Sequence, residues 1–481
     1  MFDNLVGGRW TSEHSSGRIE VRDPADMRTV VATVPEMSSA AVDALYECAA
    51  HGAAEWRGTP ALDRAAVLAQ ASRLLRMRVD EIATDLVHEM GKTFAEACNE
   101  VGKSADFFEY YASMARSPSG YLLNGSVGTQ TSVMTEPIGI VLAITPWNDP
   151  LLTPARKLAP ALAAGNAVIL KPATNTPLAA LHLARALDDA GLPAGVLGTA
   201  TGRVAVLSPA LLGDSRLAAV SFTGSNDVGA QLRRALVDSN VRLQTELGGK
   251  NAAVVLPDAD LELAAATIEA AAFGQSGQRC TATSRCIVAR SVRAELLELL
   301  VDRAQVRQLG HGLDPTTTMG PVASIAQQES VLGHLKAASA AGATVVTGGE
   351  QPTEASLRYG CFVKPTVLVD VNPEMLVWRE EVFGPVLGVL EVDDLDGAIA
   401  AVNDSPYGLS AAVFTRSLEQ ANRFADLVDT GQVAVNLPTS GWDVHVPFGG
   451  FRESGSAFKE QGIEGMRFYT RTKTVAVRYA T

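Results

Sequence analysis

From about residue 137 onward the chain alternates short apolar runs with amphipathic stretches, and this alternation constrains its fold more than any other feature. The runs "IGIVLAIT", "NAVILKPA", "AAVSFTGS" and "RLQTELGG" are each followed by a turn signal and a segment of helical spacing. That order predicts βαβ units and a parallel sheet. A second series opens at "NAAVVLPDAD" and continues through "SRCIVAR", "ATVVTGG", "KPTVLVDV", "GPVLGVLEV", "SAAVFTR" and "GQVAVNLP". It reads as another α/β layer. A chain of 481 residues is too long for one core, and two to three domains are expected, with a boundary just after "ELGGK".

Residues 39 to about 116 carry apolar positions at helical spacing with few breakers and predict a run of helices. From 118 to 136 glycine, serine and threonine mix with β-branched residues, which predicts an extended hairpin. The end, "RFYTRTKTVAVRYAT", alternates like a strand that must find a partner outside both sheets. The expected organisation is therefore 1–116 with 137–248, then 249–450, with 117–136 and 460–481 as a small third element. A net charge of −13 with no basic cluster argues against a nucleic-acid partner. The five cysteines show no CxxC spacing, so neither a disulfide framework nor a bound metal is indicated, and a reducing cytoplasm fits. The apolar runs are too short to span a bilayer, and no membrane partner is expected.

One cysteine sits in unusual company. Cys280, in "GQSGQRCTATSR", is flanked by small and polar residues that leave room and hydrogen-bond donors for a reactive thiolate, although a buried inert cysteine also satisfies the local sequence. Cys286, among aliphatics, suits the structural role better. Glu246 ends an apolar strand before two glycines, where a carboxylate can act as a base or simply be solvated. Asn148 follows another strand and can donate to an oxyanion or cap a helix. No G-x-G-x-x-G occurs, yet Gly224 and Gly229 stand between a strand and a helix, where backbone amides can meet a pyrophosphate. Lys171 ends a strand where its ammonium can meet a ribose or phosphate.

In chain order, "PWN", "KPA", "FTGSxxxG", "ELGGKN", "SGQRC" and "EEVFGP" resemble the aldehyde dehydrogenases, from about residue 5 to the last strand. The resemblance implies a Rossmann-like five-stranded cofactor domain, an α/β catalytic domain and a small β element that makes a homodimer or homotetramer, the last strand joining a neighbour's catalytic sheet. It implies Cys280 as the nucleophile, Glu246 as the general base, and Asn148 with the Cys280 amide as holders of the oxyanion. Lys171 and Glu381 would bind the two riboses. Ser225 would touch the pyrophosphate, Phe383 would pack near the nicotinamide, and Trp147 would belong to the cofactor-binding set. A small-molecule aldehyde and NAD or NADP are the implied partners. Family members that acylate coenzyme A usually lack the base, so Glu246 favours hydrolysis to the free acid. An intact set of five residues argues against a catalytically silent structural member.

Departures from the family pattern carry the finer expectations. Thr174 stands where NAD-preferring members have a glutamate, which removes a carboxylate that would repel a 2′-phosphate; with Arg203 nearby, NADP is favoured over NAD. Asp149, Thr153 and Arg156 are spaced to share one helix face and predict a polar substrate tunnel. Arg156 resembles the arginine with which semialdehyde dehydrogenases meet a distal carboxylate, whereas Gly274 replaces the second arginine of succinic semialdehyde enzymes. "GQRCTATSR" and "VNLPTSGWDVHVPFGG" most resemble the 2-oxoglutaric semialdehyde (2,5-dioxopentanoate) dehydrogenases, with Trp442 and His445 lining an outer pocket. Against this, Asp149 can neutralise Arg156, or with Tyr110 and Trp442 receive an aminoaldehyde, and a broad specificity is the remaining alternative.

Overall fold

In the computed structural model, the first apolar series folds into a sheet of five parallel strands. Their order is Arg242–Glu246, Leu217–Thr223, Ile140–Ile144, Ala167–Lys171, Leu197–Thr199. Four are the runs singled out above. The fifth, Leu197–Thr199, has three residues and is too short to leave a periodic signal. The strands Ile140–Ile144 and Ala167–Lys171 are buried at every position, as expected of a parallel sheet covered on both faces by helices. Because all five strands point the same way, the loops holding Asn148, Thr174, Ser225 and Gly248 gather at one edge.

The second series forms a seven-stranded sheet in the order Thr344–Thr347, Thr366–Val369, Val386–Val392, Thr283–Ala289, Asn251–Val255, Ser410–Phe414, Gln432–Val435, parallel except for its first pair. All seven runs read from the sequence are present. The strand ending at Glu246 and the one beginning at Asn251 are separated only by the "LGGK" turn, which links the edge strand of the first sheet to an interior strand of the second.

The hairpin Gly120–Leu123 and Thr129–Pro137 pairs with Thr470–Arg478, in antiparallel register from Thr470↔Pro137 to Arg478↔Thr129. The last strand therefore has a partner within its own chain, and the expectation that only a neighbour supplies one is corrected. The structure describes residues 2–13, 15–117 and 119–479. Pro118 and residues 480–481 of the expected bridging element lie outside the described residues.

Helices Val42–Gly58, Ala61–Met77, Val79–Met90 and Phe94–Ser113 match the expected helical run. Before them, residues 4–37 form two hairpins that the apolar pattern does not reveal, because many of their side chains are partly or fully exposed. Helix Phe94–Ser113 opens with a capping box: Thr93 Oγ1 accepts from the Glu96 N–H, and Glu96 returns the bond to the Thr93 N–H at 3.0 Å. One face buries Val101, Ala105, Phe108 and Tyr111 completely, each of the larger side chains contributing about 1.5–3 kcal/mol. The other face carries Glu96, Asn99, Glu100, Lys103 and Phe107 at three- and four-residue spacing and looks into a cavity between the sheets. Among the described residues no helix is long and apolar enough to cross a membrane.

Candidate active site

The cavity measures about 560 Å³ and is lined by Trp147, Asn148, Asp149, Thr153 and Arg156 from the first sheet's edge, Gly224 and Ser225, Cys280, Glu381 and Phe383, and Trp442. These expected site residues, far apart in sequence, converge on one space. Lys171, Thr174, Arg203, Gly229 and Glu246 are not among its lining residues.

Cys280 is held by local backbone geometry. Gln275, Ser276 and Gly277 take left-handed φ values of 54°, 56° and 69°, and a Cβ on Gly277 would stand 2.2 Å from the Gly384 carbonyl oxygen. This is why the loop is written in small and polar residues. Asn251, which sequence reasoning passed over, donates from Nδ2 to the carbonyls of Cys280 at 2.8 Å and Ala282 at 2.9 Å, fixing the nucleophile loop to the second sheet. Burial pushes the Cys280 thiol up to about 12, the Arg156 cation acting in the opposite direction. Cys286 is wholly buried in strand Thr283–Ala289 and serves the core.

Asn148 donates from Nδ2 to the Gln278 carbonyl at 2.9 Å, with a longer 3.5 Å contact to Asp149. Its amide is thereby pinned to the loop that carries Cys280. Glu246 ends its strand 2% exposed, and among the described residues neither carboxylate oxygen has a hydrogen-bond partner. Burial and then neighbouring Glu460 raise Glu246 well above the usual carboxylate range, opposed by Lys157, Lys459 and Arg156. A Cβ on Gly449 would lie 2.6 Å from its Oε1, so only glycine leaves it room. Glu246 therefore sits behind the cavity wall rather than in it, close enough that its charge raises the Cys280 thiol.

Glu381 accepts from the Gly249 N–H at 2.8 Å and is pushed up by burial to about 7. Trp147 and Phe383 meet edge to face at 5.2 Å. The lysine is elsewhere. Lys171 is 1% exposed at its strand end, donates to the Pro172 carbonyl at 2.5 Å, and is held down to about 8 by burial. Thr174 donates to the Gly202 carbonyl at 3.1 Å, and Arg203 is held by Glu36 at 2.6 Å.

The two glycines differ from expectation. The Gly224 N–H bonds the Glu246 carbonyl and the Gly229 N–H bonds the Ser225 carbonyl, so neither amide is free for a pyrophosphate. Ser225 instead caps helix Asn226–Ala235, and among the described residues the N–H groups of Asn226 and Asp227 in its first turn have no partner. Gly229 is a packing residue, since a Cβ there would meet Leu247 at 2.8 Å. A further cleft of about 370 Å³ between helices Val204–Gly213 and Asn226–Ala235, lined mainly by apolar residues, was not foreseen from the sequence.

On the substrate side, Asp149 precedes helix Leu152–Ala164 rather than sharing its face. It pairs with Lys92 at 2.8 Å and Gln275 at 3.0 Å and not with Arg156; burial alone would raise it, but Lys92 and Arg279 hold it down to about 2. Arg156 stacks over Phe448 at 4.5 Å, lies 3.6 Å from Glu460, and keeps a buried Nε without a partner. Trp442 lines the mouth, whereas His445 is exposed beside Asp443 and Tyr110 packs on Tyr111; neither lines the cavity. Outside the cavity, Asp23 accepts from His88 at 3.1 Å and from His311 at 2.9 Å. The Leu313 N–H donates to His311 Nδ1, which leaves the proton on Nε2 facing Asp23, so the trio is a hydrogen-bonded clasp between three segments.

The comparisons agree with this geometry. The chain is 43% identical over 99% of both chains to an alpha-ketoglutarate semialdehyde dehydrogenase of Haloferax volcanii. It is 38% identical over 98% of both chains to a 2,5-dioxopentanoate dehydrogenase of Saccharolobus solfataricus. Among solved structures, 3,6-anhydro-L-galactose dehydrogenase in complex with NAP superposes with a TM-score of 0.95 at 33% identity, over 99% of each chain. The profile of the aldehyde dehydrogenase family matches residues 10–475, and the chain, carrying that fold and that cysteine-centred cavity, belongs to this family of NAD(P)-dependent oxidoreductases that act on aldehydes.

Proposed function

We propose that the chain oxidises an anionic semialdehyde of the 2-oxoglutaric type to its acid, with NADP favoured over NAD. The observation that carries the substrate reading is Arg156, a cavity-lining guanidinium whose buried Nε has no partner. The names of the relatives from Haloferax volcanii and Saccharolobus solfataricus point the same way. An aminoaldehyde is disfavoured because Asp149, the carboxylate that would meet its amine, is taken by Lys92 and Gln275.

The chemistry follows from the chain's own groups. The Cys280 thiol gives its proton to water and the thiolate attacks the aldehyde carbon, forming a C–S bond as the carbonyl π pair moves onto the oxygen, which Asn148 Nδ2 and the Cys280 N–H hold. NAD(P), when bound, supplies the hydride acceptor that turns this adduct into a thioester. Glu246, rotated toward the cavity, takes a proton from water, whose oxygen attacks the thioester carbon; the C–S bond breaks and the acid leaves. The residues present fit the cofactor. Glu381 beside Gly248 would hold the nicotinamide ribose, and Trp147 and Phe383 would wall the ring. Lys171 would hold the other ribose, the helix capped by Ser225 would meet the pyrophosphate, and the apolar cleft would take the adenine. Thr174 would bring no charge to the 2′ position, and Arg203, although 66% exposed at its side chain, is already paired with Glu36, so the NADP preference rests on the missing carboxylate.

Residues 1–116 with 137–248 would bind the cofactor, 249–450 would carry catalysis, and 117–136 with 460–481 would join subunits into a homodimer or homotetramer in the cytoplasm. The exposed Tyr121, Leu122 and Met134 on the three-stranded sheet, with Tyr479 just past its last strand, support such an interface. Cys280→Ala tests the reading: aldehyde oxidation should be abolished while NADP still quenches tryptophan fluorescence. Comparable turnover in the variant would refute the nucleophile assignment.

A further inference from the structure

The charges lining the cavity are unequally satisfied. Its acidic side chains already have donors: Glu96 accepts from the Gln275 N–H at 2.6 Å, and Glu100 from the N–H groups of Leu151 and Leu152 at 2.9 and 3.0 Å. Asp149 has Lys92, Asp106 has Arg76, and Glu381 has Gly249. The cations divide. Lys92 is paired with Glu100 and with Asp149 at 2.8 Å, whereas among the described residues Arg279 bonds only the neutral Gln275 side chain, at 2.6 Å, and Arg156, 3.6 Å from Glu460, keeps an unpartnered Nε. Lys103, half-buried on helix Phe94–Ser113, has among the described residues neither a hydrogen bond nor an ion pair.

A partly buried lysine that lines a cavity and has no carboxylate partner among the described residues is free to meet an anion that enters it. Burial holds Lys103 below the usual lysine range, the cations of Arg279 and Arg156 hold it lower, and Asp149 and Asp443 oppose them. Lys103, Arg279, Arg156, Asp149 and Asp443 all line the cavity, and the three of them that are cations lack a full complement of carboxylates.

Resting on the semialdehyde reading above, we propose that Lys103 is a specificity-determining residue that meets the distal carboxylate of the substrate together with Arg156. The guanidinium offers a planar fork and the ammonium a point charge from the helix packed beside it, so both can meet one carboxylate in the cavity they line. A neutral aldehyde leaves both cations unsatisfied, so Lys103 enlarges the discrimination against it.

The test uses the full-length enzyme with Lys103→Met, Lys103→Gln and Lys103→Arg, assayed on 2,5-dioxopentanoate and on pentanal, with circular dichroism to establish folding. In Lys103→Met the ratio of kcat/KM for the anionic over the neutral aldehyde should fall about tenfold, chiefly through KM, and Lys103→Arg should recover most of it. Titration calorimetry with 2-oxoglutarate, which carries the same distal carboxylate and no aldehyde, should show the same loss of affinity. If the wild type favours 2,5-dioxopentanoate and Lys103→Met and Lys103→Gln keep that ratio, the role of Lys103 is refuted while the semialdehyde reading stands. If the wild type itself shows no preference for the anion, the semialdehyde reading fails and this inference with it.

Discussion

Replacing Arg156 with leucine probes the substrate reading most sharply. The guanidinium side chain is 12% exposed, and its nearest carboxylate, Glu460, gives one oxygen to Lys157 at 2.5 Å and leaves the other 3.6 Å from Arg156. That distance is too long for a hydrogen bond, so a substrate carboxylate need not displace one. A charge-assisted bond in such a site contributes on the order of 1.5–3 kcal/mol. By the rule of tenfold per 1.4 kcal/mol, this is roughly ten- to a hundredfold in kcat/KM. Leucine has a second effect. The Arg156 charge lowers both the Cys280 thiol and the Glu246 carboxyl, so its loss makes each harder to ionise and slows every aldehyde. The readout is therefore the ratio of kcat/KM for 2,5-dioxopentanoate over pentanal, from which the common slowing cancels. A ratio that falls by the stated factor supports the account. An unchanged ratio, with both substrates slowed equally, would show that Arg156 acts only on the catalytic groups.

Two further outcomes are expected. Thr174→Glu should shift preference from NADP toward NAD, since a carboxylate accepts from a 2′-hydroxyl and repels a 2′-phosphate; an unchanged ratio of kcat/KM for the two cofactors would place 2′ recognition elsewhere. Asp23 is held down to about 2 because the hydrogen bonds from His311 and His88 and the Ala25 N–H outweigh its burial. Its depressed value means that the clasp stabilises the fold above the ordinary aspartate range and that this contribution is lost as pH falls toward 2. Asp23→Asn should accordingly cost about 2 kcal/mol in denaturant unfolding at pH 7, with a smaller difference at pH 3; an equal difference at both pH values would refute the linkage.

The parallel strands were legible because a strand buried on both faces is a nearly unbroken apolar run, as in "AVILK" and "NAAVV". The strands of the second sheet were read from similar apolar runs, although its edge strand Thr344–Thr347 is mostly exposed, whereas the pairing of the mostly exposed Thr470–Arg478 with Thr129–Pro137 joins distant segments and was not legible. The edge strand Leu197–Thr199 and the hairpins of residues 4–37 were not legible, the first being too short and the others carrying few buried side chains. At the site, Cys280 and Asn148 were legible locally because backbone bends and short polar side chains are written in the sequence, whereas Glu381 came only from the resemblance of "EEVFGP" to the family. Pairings between distant residues are not written locally. Lys92 with Asp149 joins two segments fifty-seven residues apart, and nothing near Asp149 foretells it. The polar stripe through Glu96, Glu100 and Lys103 reads in sequence as a solvated helix face, and only tertiary packing turns it into a cavity wall. Likewise, the amides of Gly224 and Gly229 looked available until their bonds to Glu246 and Ser225 were seen.

The central claim is that Cys280 carries the acyl group and Glu246 serves its release, and the most direct measurement is rapid-quench mass spectrometry of Glu246→Gln mixed with aldehyde and NADP. The account predicts a burst of one equivalent of reduced cofactor per site, matched by an acyl adduct on the peptide containing Cys280 that persists through slow turnover. The absence of a burst, or an adduct on any other peptide, would contradict it.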